Sequence, residues 1–252
     1  MEITQASLPF TPWTDPALSR MPGMRPVEGN WIVVDDVYAG QMALRRQLLS
    51  TQPEVVVQTC PGSEAAQTAL FDMVMDALPA GFSRAGGSVI CPDGARVPMD
   101  APPLHVLGAM LQEDLLILQR DEAEHVLTAG VLCFPASWTL SEKIGRPLTR
   151  IHTPVAPYDA QMAQRVQRLF DRVRPGRPMW RANVLGYADA TLHQPRSETG
   201  PRPAPERARY LRSERQTVLR LSVPDTVLFA VHTWVVPLHR LTPDQRATCP
   251  VR

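Results

Sequence analysis

The chain has 252 residues, of which 44% are hydrophobic and 20% are charged, so it can bury a sizeable core. Its 26 basic and 25 acidic residues leave a net charge of +1, which argues against nucleic-acid and membrane-surface partners because both need a broad excess of positive potential. No apolar run reaches the ~20 residues of a membrane helix, and the first residues lack the features of a signal peptide. We therefore expect a cytoplasmic protein.

The four cysteines are scattered along the chain, at Cys60, Cys91, Cys133 and Cys249. None of them forms a CxxC pair, which argues against a structural zinc site and an iron–sulfur cluster within this chain. Covalent attachment of a c-type haem would need CxxCH, which is also missing.

The N-terminal part of the chain predicts an extended arm followed by helices. Residues 8–30 are rich in proline and read as the arm. Helical spacing of apolar residues follows near 36–50, at 63–78 with Ser63 as N-cap, and at 103–112.

From residue 115 onwards the pattern is that of a sheet interrupted by helices. Strands are predicted at 115–118, 125–134, 181–191, 215–223 and 226–238, the last two forming a hairpin at Pro224-Asp225. Helices are predicted at 139–151 and at 159–173, with Asp159 as N-cap. Residues 194–209 are rich in Pro and Arg and predict a flexible loop.

This order of elements indicates an α+β fold, because helices are grouped in the middle of an antiparallel sheet. We treat 1–252 as a single domain. Its N-terminal arm and helices occupy 1–110 and its core occupies 111–252.

Common enzyme motifs are missing from the sequence. There is no GxGxxG, no GxxxxGK[ST], no HExxH and no GxSxG. The chain therefore lacks the usual devices for binding NAD(P)H or ATP, and an oxidoreductase built on it would need electrons from elsewhere.

Six histidines are candidate ligands or acid–base groups. His105 and His125 are most simply interpreted as structural or solvated residues. His193 and His239 flank loops at strand ends, where an exposed imidazole is common. His232 lies mid-strand on the same face as its apolar neighbours, where a core histidine hydrogen-bonded to a backbone group is the simplest interpretation.

His152 has the most suggestive setting. It follows a helical stretch that carries Lys143, Arg146 and Arg150, and Pro154 prevents the helix from continuing. A histidine held at a helix end is stiff enough to bind a metal, and the basic residues would suit a ligand with carboxylates. From spacing alone, a structural role and a ligand role both remain open.

The segment FPASWTLSEKIGRPLTRIHTPVAPY, from Phe134 to Tyr158, carries a resemblance to a known family. With its Trp-x-Leu-x-Glu-Lys-x-Gly core and Ile-His-x-Pro-Val turn, it is similar to the haem-dependent oxidative N-demethylase α-subunit family. GRPMWRANV, the Trp-x-x-x-Asp-x-x-Tyr spacing near residue 31, and YLRSERQTVLRL…FAVHTWVVPL extend the resemblance over nearly the whole chain. The chain departs from the family pattern in the 194–209 loop and at Ala156, where proline is expected.

The resemblance implies a PAS-like fold, in which an antiparallel sheet and a helical face enclose a b-type haem. It implies His152 as the iron ligand. The further residues expected to contact haem are Trp138, Lys143, Arg146, Arg150 and Arg181. It also implies separate reductase subunits that carry FMN and a 2Fe-2S cluster and take electrons from NADPH.

Strand periodicity supplies candidates for the catalytic side of the haem. Alternation places Arg181, Asn183, Leu185, Tyr187 and Asp189 on one face of a strand, and Arg212, Glu214, Arg215 and Gln216 begin the next strand. From these we take Tyr187, Asp189, Arg212 and Glu214 as catalytic candidates: a carboxylate to hold an amine, and donors to stabilise bound oxygen. Surface salt bridges at the sheet edge are the alternative interpretation.

The function implied is a monooxygenase that removes an N-methyl group from a small secondary amine such as dimethylamine and releases formaldehyde. The rival function is a haem-based gas sensor or haem-binding module without catalysis, because the fold alone does not separate the two.

Overall fold

The computed structural model describes residues 2–19, 23–122, 124–152, 160–201 and 207–251. The α-helices are α1 (Tyr38–Thr51), α2 (Pro53–Val56), α3 (Glu64–Ala77), α4 (Pro103–Met110), α5 (Leu140–Lys143), α6 (Leu148–His152), α7 (Ala160–Arg172) and α8 (Pro243–Thr248). The strands are β1 (Arg25–Pro26), β2 (Val57–Thr59), β3 (Ser83–Ala85), β4 (Ser88–Ile90), β5 (Arg96–Pro98), β6 (Asp114–Asp121), β7 (Glu124–Val131), β8 (Met179–Ala182), β9 (Leu185–Tyr187), β10 (Tyr210–Arg220) and β11 (Thr226–Pro237). The predicted α+β class is confirmed.

The main sheet is antiparallel and, within the described ranges, has the order β1-β8-β10-β11-β6-β7-β2, with β9 also paired to β10. Its longest pairing is the β10–β11 hairpin, which runs from Tyr210 opposite Pro237 to Arg220 opposite Val227. The turn includes Asp225 at a φ of 50°, so the predicted hairpin is confirmed. Strands β3, β4 and β5 form a separate small sheet.

Alternate residues of β6 divide the core into two layers, as the pleat of a strand requires. Leu115 and Ile117 belong to the cluster that includes α1, α3 and α4, and we call this side of the sheet the α4 face. Leu116 and Leu118 belong to the cluster that includes α5, α6 and α7, and we call that side the α7 face. The helices of the α7 face lie in the regions where helices are predicted at 139–151 and 159–173.

The first residues of the chain are held against the end of β11 by Gln5. Gln5 donates its backbone N–H to the carbonyl of Val235, accepts from the N–H of Val235 at 2.8 Å, and donates to the carbonyl of Thr233. Gln5 is fully buried. The residues that precede the predicted arm of 8–30 therefore lie against the body and cover part of the edge of β11 that β6 leaves unpaired.

Two elements that were predicted to be continuous are each divided into two in the structure. The helix predicted over 139–151 is two short helices, because the chain turns at Gly145, whose φ is +70°. The strand predicted over 181–191 stops at Ala182 and resumes as β9. Between these strands, the side chain of Asn183 accepts a hydrogen bond from the backbone N–H of Glu214 at 2.8 Å. The strand predicted to begin at residue 215 begins at Tyr210. Asp159, the predicted N-cap, lies outside the described residues.

Two helical glycines should respond in opposite ways to alanine. A Cβ on Gly108 would lie 2.8 Å from Cγ2 of Val131, whereas a Cβ on Gly40 would meet Ile3 at 3.4 Å. We expect Gly108→Ala to destabilise the fold by about 1–3 kcal/mol through overpacking, and Gly40→Ala to stabilise it by up to about 1 kcal/mol. Urea unfolding of the two variants checks this, and shifts in the same direction would contradict the packing described for α4.

Candidate functional site

His152 ends α6, a helix of five residues. Its Nδ1 lies 2.8 Å from the carbonyl oxygen of Leu148. Since a carbonyl only accepts, this contact assigns the proton to Nδ1 and the lone pair to Nε2, which is the tautomer that binds a metal. Burial lowers the pKa of His152, and the charges of Lys143 and Arg181 lower it further despite the Leu148 contact. The imidazole is therefore neutral at physiological pH.

The α7 face of strands β8 and β10 presents a row of polar side chains. Register places Arg181 opposite Gln216, on the same side as Val218, which packs with α6 and α7. Arg181 donates to Gln216 at 3.4 Å, and Gln216 donates to Glu214 at 3.3 Å. Burial lowers the pKa of Arg181, because it disfavours the charged guanidinium.

The row continues to Arg212 and Tyr187. Glu214 accepts from Asn183 at 2.8 Å and lies 3.5 Å from Nη2 of Arg212. The guanidinium of Arg212 also lies over the ring of Tyr187, 5.5 Å from its centroid. Both Arg212 and Glu214 are buried, at 0% and 7% exposure. Three of the four catalytic candidates are thus brought together.

Close to Glu214, two buried polar atoms have no hydrogen-bond partner among the described residues. They are Nε of Arg212 and Oγ1 of Thr233, and Thr233 is paired with Glu214 across the sheet. Buried polar atoms are nearly always satisfied in native proteins. Their presence here indicates a site for water or for a polar ligand.

Three other residues that the sequence singled out lie elsewhere. Asp189 is exposed and accepts from the backbone N–H of Thr191 at 2.8 Å, in a turn beyond the end of β9. Arg146 is exposed. Arg215 lies on the α4 face, over the ring of Trp180 at 5.2 Å. The shared face predicted for Arg181 through Asp189 therefore does not extend to Asp189, because the strand ends at Tyr187.

Lys143 and Arg150 are engaged by a carboxylate that the sequence did not indicate. Glu198 accepts from Lys143 at 2.5 Å and from Arg150 at 3.0 Å. Hydrogen bonds from Arg150 and Lys143 hold the pKa of Glu198 at about 2. The residue comes from the predicted 194–209 loop, whose composition gives no signal for such a contact.

Trp138 packs beside the α7 face and also lines a cleft of about 150 Å³ with Leu140 and His193. This volume is below the ~300 Å³ of usual ligand pockets. His193 is held by the carbonyl of Cys133 at 2.8 Å. His152 is not among the residues that line this cleft.

The interpretation of His232 as bonded to a backbone group is wrong. Its Nδ1 lies 3.1 Å from Glu113 and its Nε2 lies 3.2 Å from Asp35. Burial alone would lower the pKa of His232, but the hydrogen bonds and charges of the two carboxylates outweigh burial and raise the pKa to about 9. His232 is thus an imidazolium on the α4 face, in the protonation state that does not bind metals.

Residues 23–250 match the family described as "Haem-dependent oxidative N-demethylase, alpha subunit-like". The chain belongs to this family. The resemblance noted in the sequence is therefore confirmed, and with it the haem dependence that the family's description states. Along the described ranges, no helix combines the length and apolar character needed to cross a bilayer.

The residues of the α7 face fit the haem of this family. His152 offers a neutral imidazole with a defined tautomer. Arg181 is a partly buried cation to which a propionate could hydrogen-bond. Lys143 and Arg150 do not fit as propionate partners, because Glu198 already neutralises them. Within the described residues, no group of three or more His, Cys, Asp or Glu side chains is arranged to hold a bare metal ion.

Proposed function

We propose that this chain is a haem-dependent monooxygenase that oxidatively demethylates a small secondary amine such as dimethylamine. The observation that carries the proposal is the placement of neutral His152 on the same side of the sheet as the polar row Arg181–Gln216–Glu214–Arg212. His152, near Arg181, would offer an iron ligand, and Glu214 further along the row offers a buried carboxylate. A haem bound between them would supply iron that takes up dioxygen and electrons.

Each protein group has a separate task in this proposal. His152 holds the iron through Nε2, and Arg181 holds a propionate. A small secondary amine is a cation at neutral pH. Oε1 of Glu214, which lies 3.5 Å from Arg212, would accept its N–H, because Oε2 already accepts from Asn183 and Gln216. Arg212 and Tyr187 would stabilise negative charge that develops on oxygen.

The overall reaction consumes one amine, one dioxygen, two electrons and two protons. It yields the demethylated amine, formaldehyde and water: one oxygen atom enters the methyl carbon and the other leaves as water. The carbinolamine breaks its C–N bond as its hydroxyl proton is lost and the nitrogen gains a proton.

The electrons would come from partner subunits in the cytoplasm, with NADPH as donor and FMN and a 2Fe-2S cluster as carriers. The absence of nucleotide-binding and cluster motifs from this sequence supports an external source.

The direct test is formaldehyde release. The haem-loaded protein, supplied with a surrogate reductant and dioxygen, should produce one formaldehyde for each dimethylamine consumed, with free haem as the control. Tight binding of nitric oxide or dioxygen without any amine turnover would instead support the gas sensor.

Glu214→Gln should raise the KM for the amine about 10- to 100-fold, because a charged hydrogen bond contributes about 1.5–3 kcal/mol. The haem spectrum should stay unchanged. Asp189→Asn is the matched control and should leave KM as it is, because its carboxylate is exposed and bonded to its own turn. An unchanged KM in Glu214→Gln would remove Glu214 from the amine site.

A further inference from the structure

Residues 194–201 pass over the two short helices that lead to His152. We call these residues the strap. The backbone N–H of Glu198 donates to both oxygens of Glu142 at 3.1 Å, and the hydroxyl of Ser197 donates to the same carboxylate at 2.6 Å. Glu142 also accepts from Thr139 at 2.6 Å. The strap is therefore bonded to α5 through groups that do not involve its own carboxylate.

The carboxylate of Glu198 makes the second set of contacts, and these join α5 to α6. Its Oε1 lies 2.5 Å from Nζ of Lys143 in α5, and its Oε2 lies 3.0 Å from Nη2 of Arg150 in α6. Both helices are too short to be stable alone. One carboxylate thus forms ion pairs with both helices.

Lys143 also contacts the residue that precedes His152. Its Nζ donates to the carbonyl oxygen of Ile151 at 2.7 Å, one of the last carbonyls of α6, which have no partner within the helix. The side chain of Lys143 is only 6% exposed. A buried ammonium is costly unless it is paired, so Lys143 keeps this position only while Glu198 neutralises it.

We propose that Glu198 is a positioning residue for His152, acting through Lys143 to fix the end of α6 and so the direction of the imidazole. This inference rests on the proposed function, because it takes His152 as the haem ligand. The strap would then support His152 from outside the haem site. Partners of this kind usually affect metal affinity 10- to 100-fold.

The test is the rate at which haem leaves the protein, measured by transfer to an excess of apomyoglobin. Glu198→Gln keeps the size of the side chain and removes its charge, and it should lose haem at least about tenfold faster than the wild type. Its Soret band should also broaden or shift, since the ligand is held less firmly. Glu28→Gln is the matched control, because Glu28 is exposed and makes no hydrogen bond or ion pair among the described residues.

A double-mutant cycle with Lys143→Met separates positioning from general destabilisation. If Glu198 acts through Lys143, the double variant should lose haem no faster than the worse single variant, whereas independent effects would multiply. Glu198→Asp should restore part of the slow release. Melting temperatures of the haem-free variants, compared in parallel, show whether the fold itself has changed.

Three outcomes are distinguishable. Wild-type protein that binds no haem would overturn the proposed function and this inference with it. A wild type that binds haem, with Glu198→Gln releasing it at the wild-type rate, would overturn only the role of Glu198. Faster release that multiplies with Lys143→Met would also overturn it, because the two residues would then act separately.

Discussion

Replacing His152 with alanine should reduce haem affinity by at least about a hundredfold and remove or shift the Soret band. The reason is that the iron would lose its protein ligand, and loss of even an outer partner of such a ligand costs 10- to 100-fold. The fold should survive, because His152 does not belong to the apolar cluster that packs the α7 face. Haem titration followed by absorption, with circular dichroism of the haem-free variant, measures both effects.

Two histidine variants serve as controls for this result. His239→Ala changes an exposed side chain and should leave the titration unchanged. His232→Gln should also retain haem, because His232 lies on the α4 face as an imidazolium. If His152→Ala keeps an unchanged spectrum while His232→Gln loses haem, the ligand assignment is wrong.

The fold should lose about 3 kcal/mol of its free energy of unfolding between pH 6.5 and pH 9 through His232 alone. Its pKa is about 9 in the folded protein and near 6.5 when unfolded. The folded state therefore binds the extra proton over this interval, and stability falls as pH rises. The contribution is fully present below pH 6.5, and each pKa unit corresponds to about 1.4 kcal/mol.

Urea unfolding at pH 6 and pH 9 tests this with His232→Gln beside the wild type. At pH 6 the variant should be about 3–5 kcal/mol less stable, since Asp35 and Glu113 would be left as buried carboxylates without their cation. It should also lose the pH-dependent fall that His232 gives the wild type. His239→Gln is the control, and an equal pH slope in all three proteins would contradict the ionic contacts of His232.

The regular elements of this fold could be predicted because their signals are local. The spacing of apolar residues predicted the ends of α1, α3 and α4 to within two residues. The hairpin at Pro224-Asp225 was marked by its own turn residues. The break at Gly145 was missed because the helical pattern of the flanking residues continues through it, and only the left-handed φ shows the turn.

The site could be predicted only in part, and for a different reason. His152 was selected chiefly by its resemblance to a family signature, and Arg212 and Glu214 by strand alternation. Asp189 was included because alternation was extended past Tyr187, where the strand ends. Alternation assigns a face only while the backbone stays extended.

Long-range charge pairing had no signal in the sequence. Glu198 lies 55 residues from Lys143, and Glu113 lies 119 residues from His232. The strap has the composition of a solvated loop, so Lys143 and Arg150 were assigned to propionates instead. The sequence shows which side chains carry opposite charges. Which of them form an ion pair depends on the fold, which brings distant residues together.

We propose that this chain binds one haem through His152 on the α7 face. Titration of the purified wild-type protein with haem, followed at the Soret band, tests it most directly. We predict saturation at one haem per chain, with a ferric or ferrous spectrum typical of histidine ligation that His152→Ala does not give. A titration that shows no saturable Soret shift, or the same shift in His152→Ala, would contradict it.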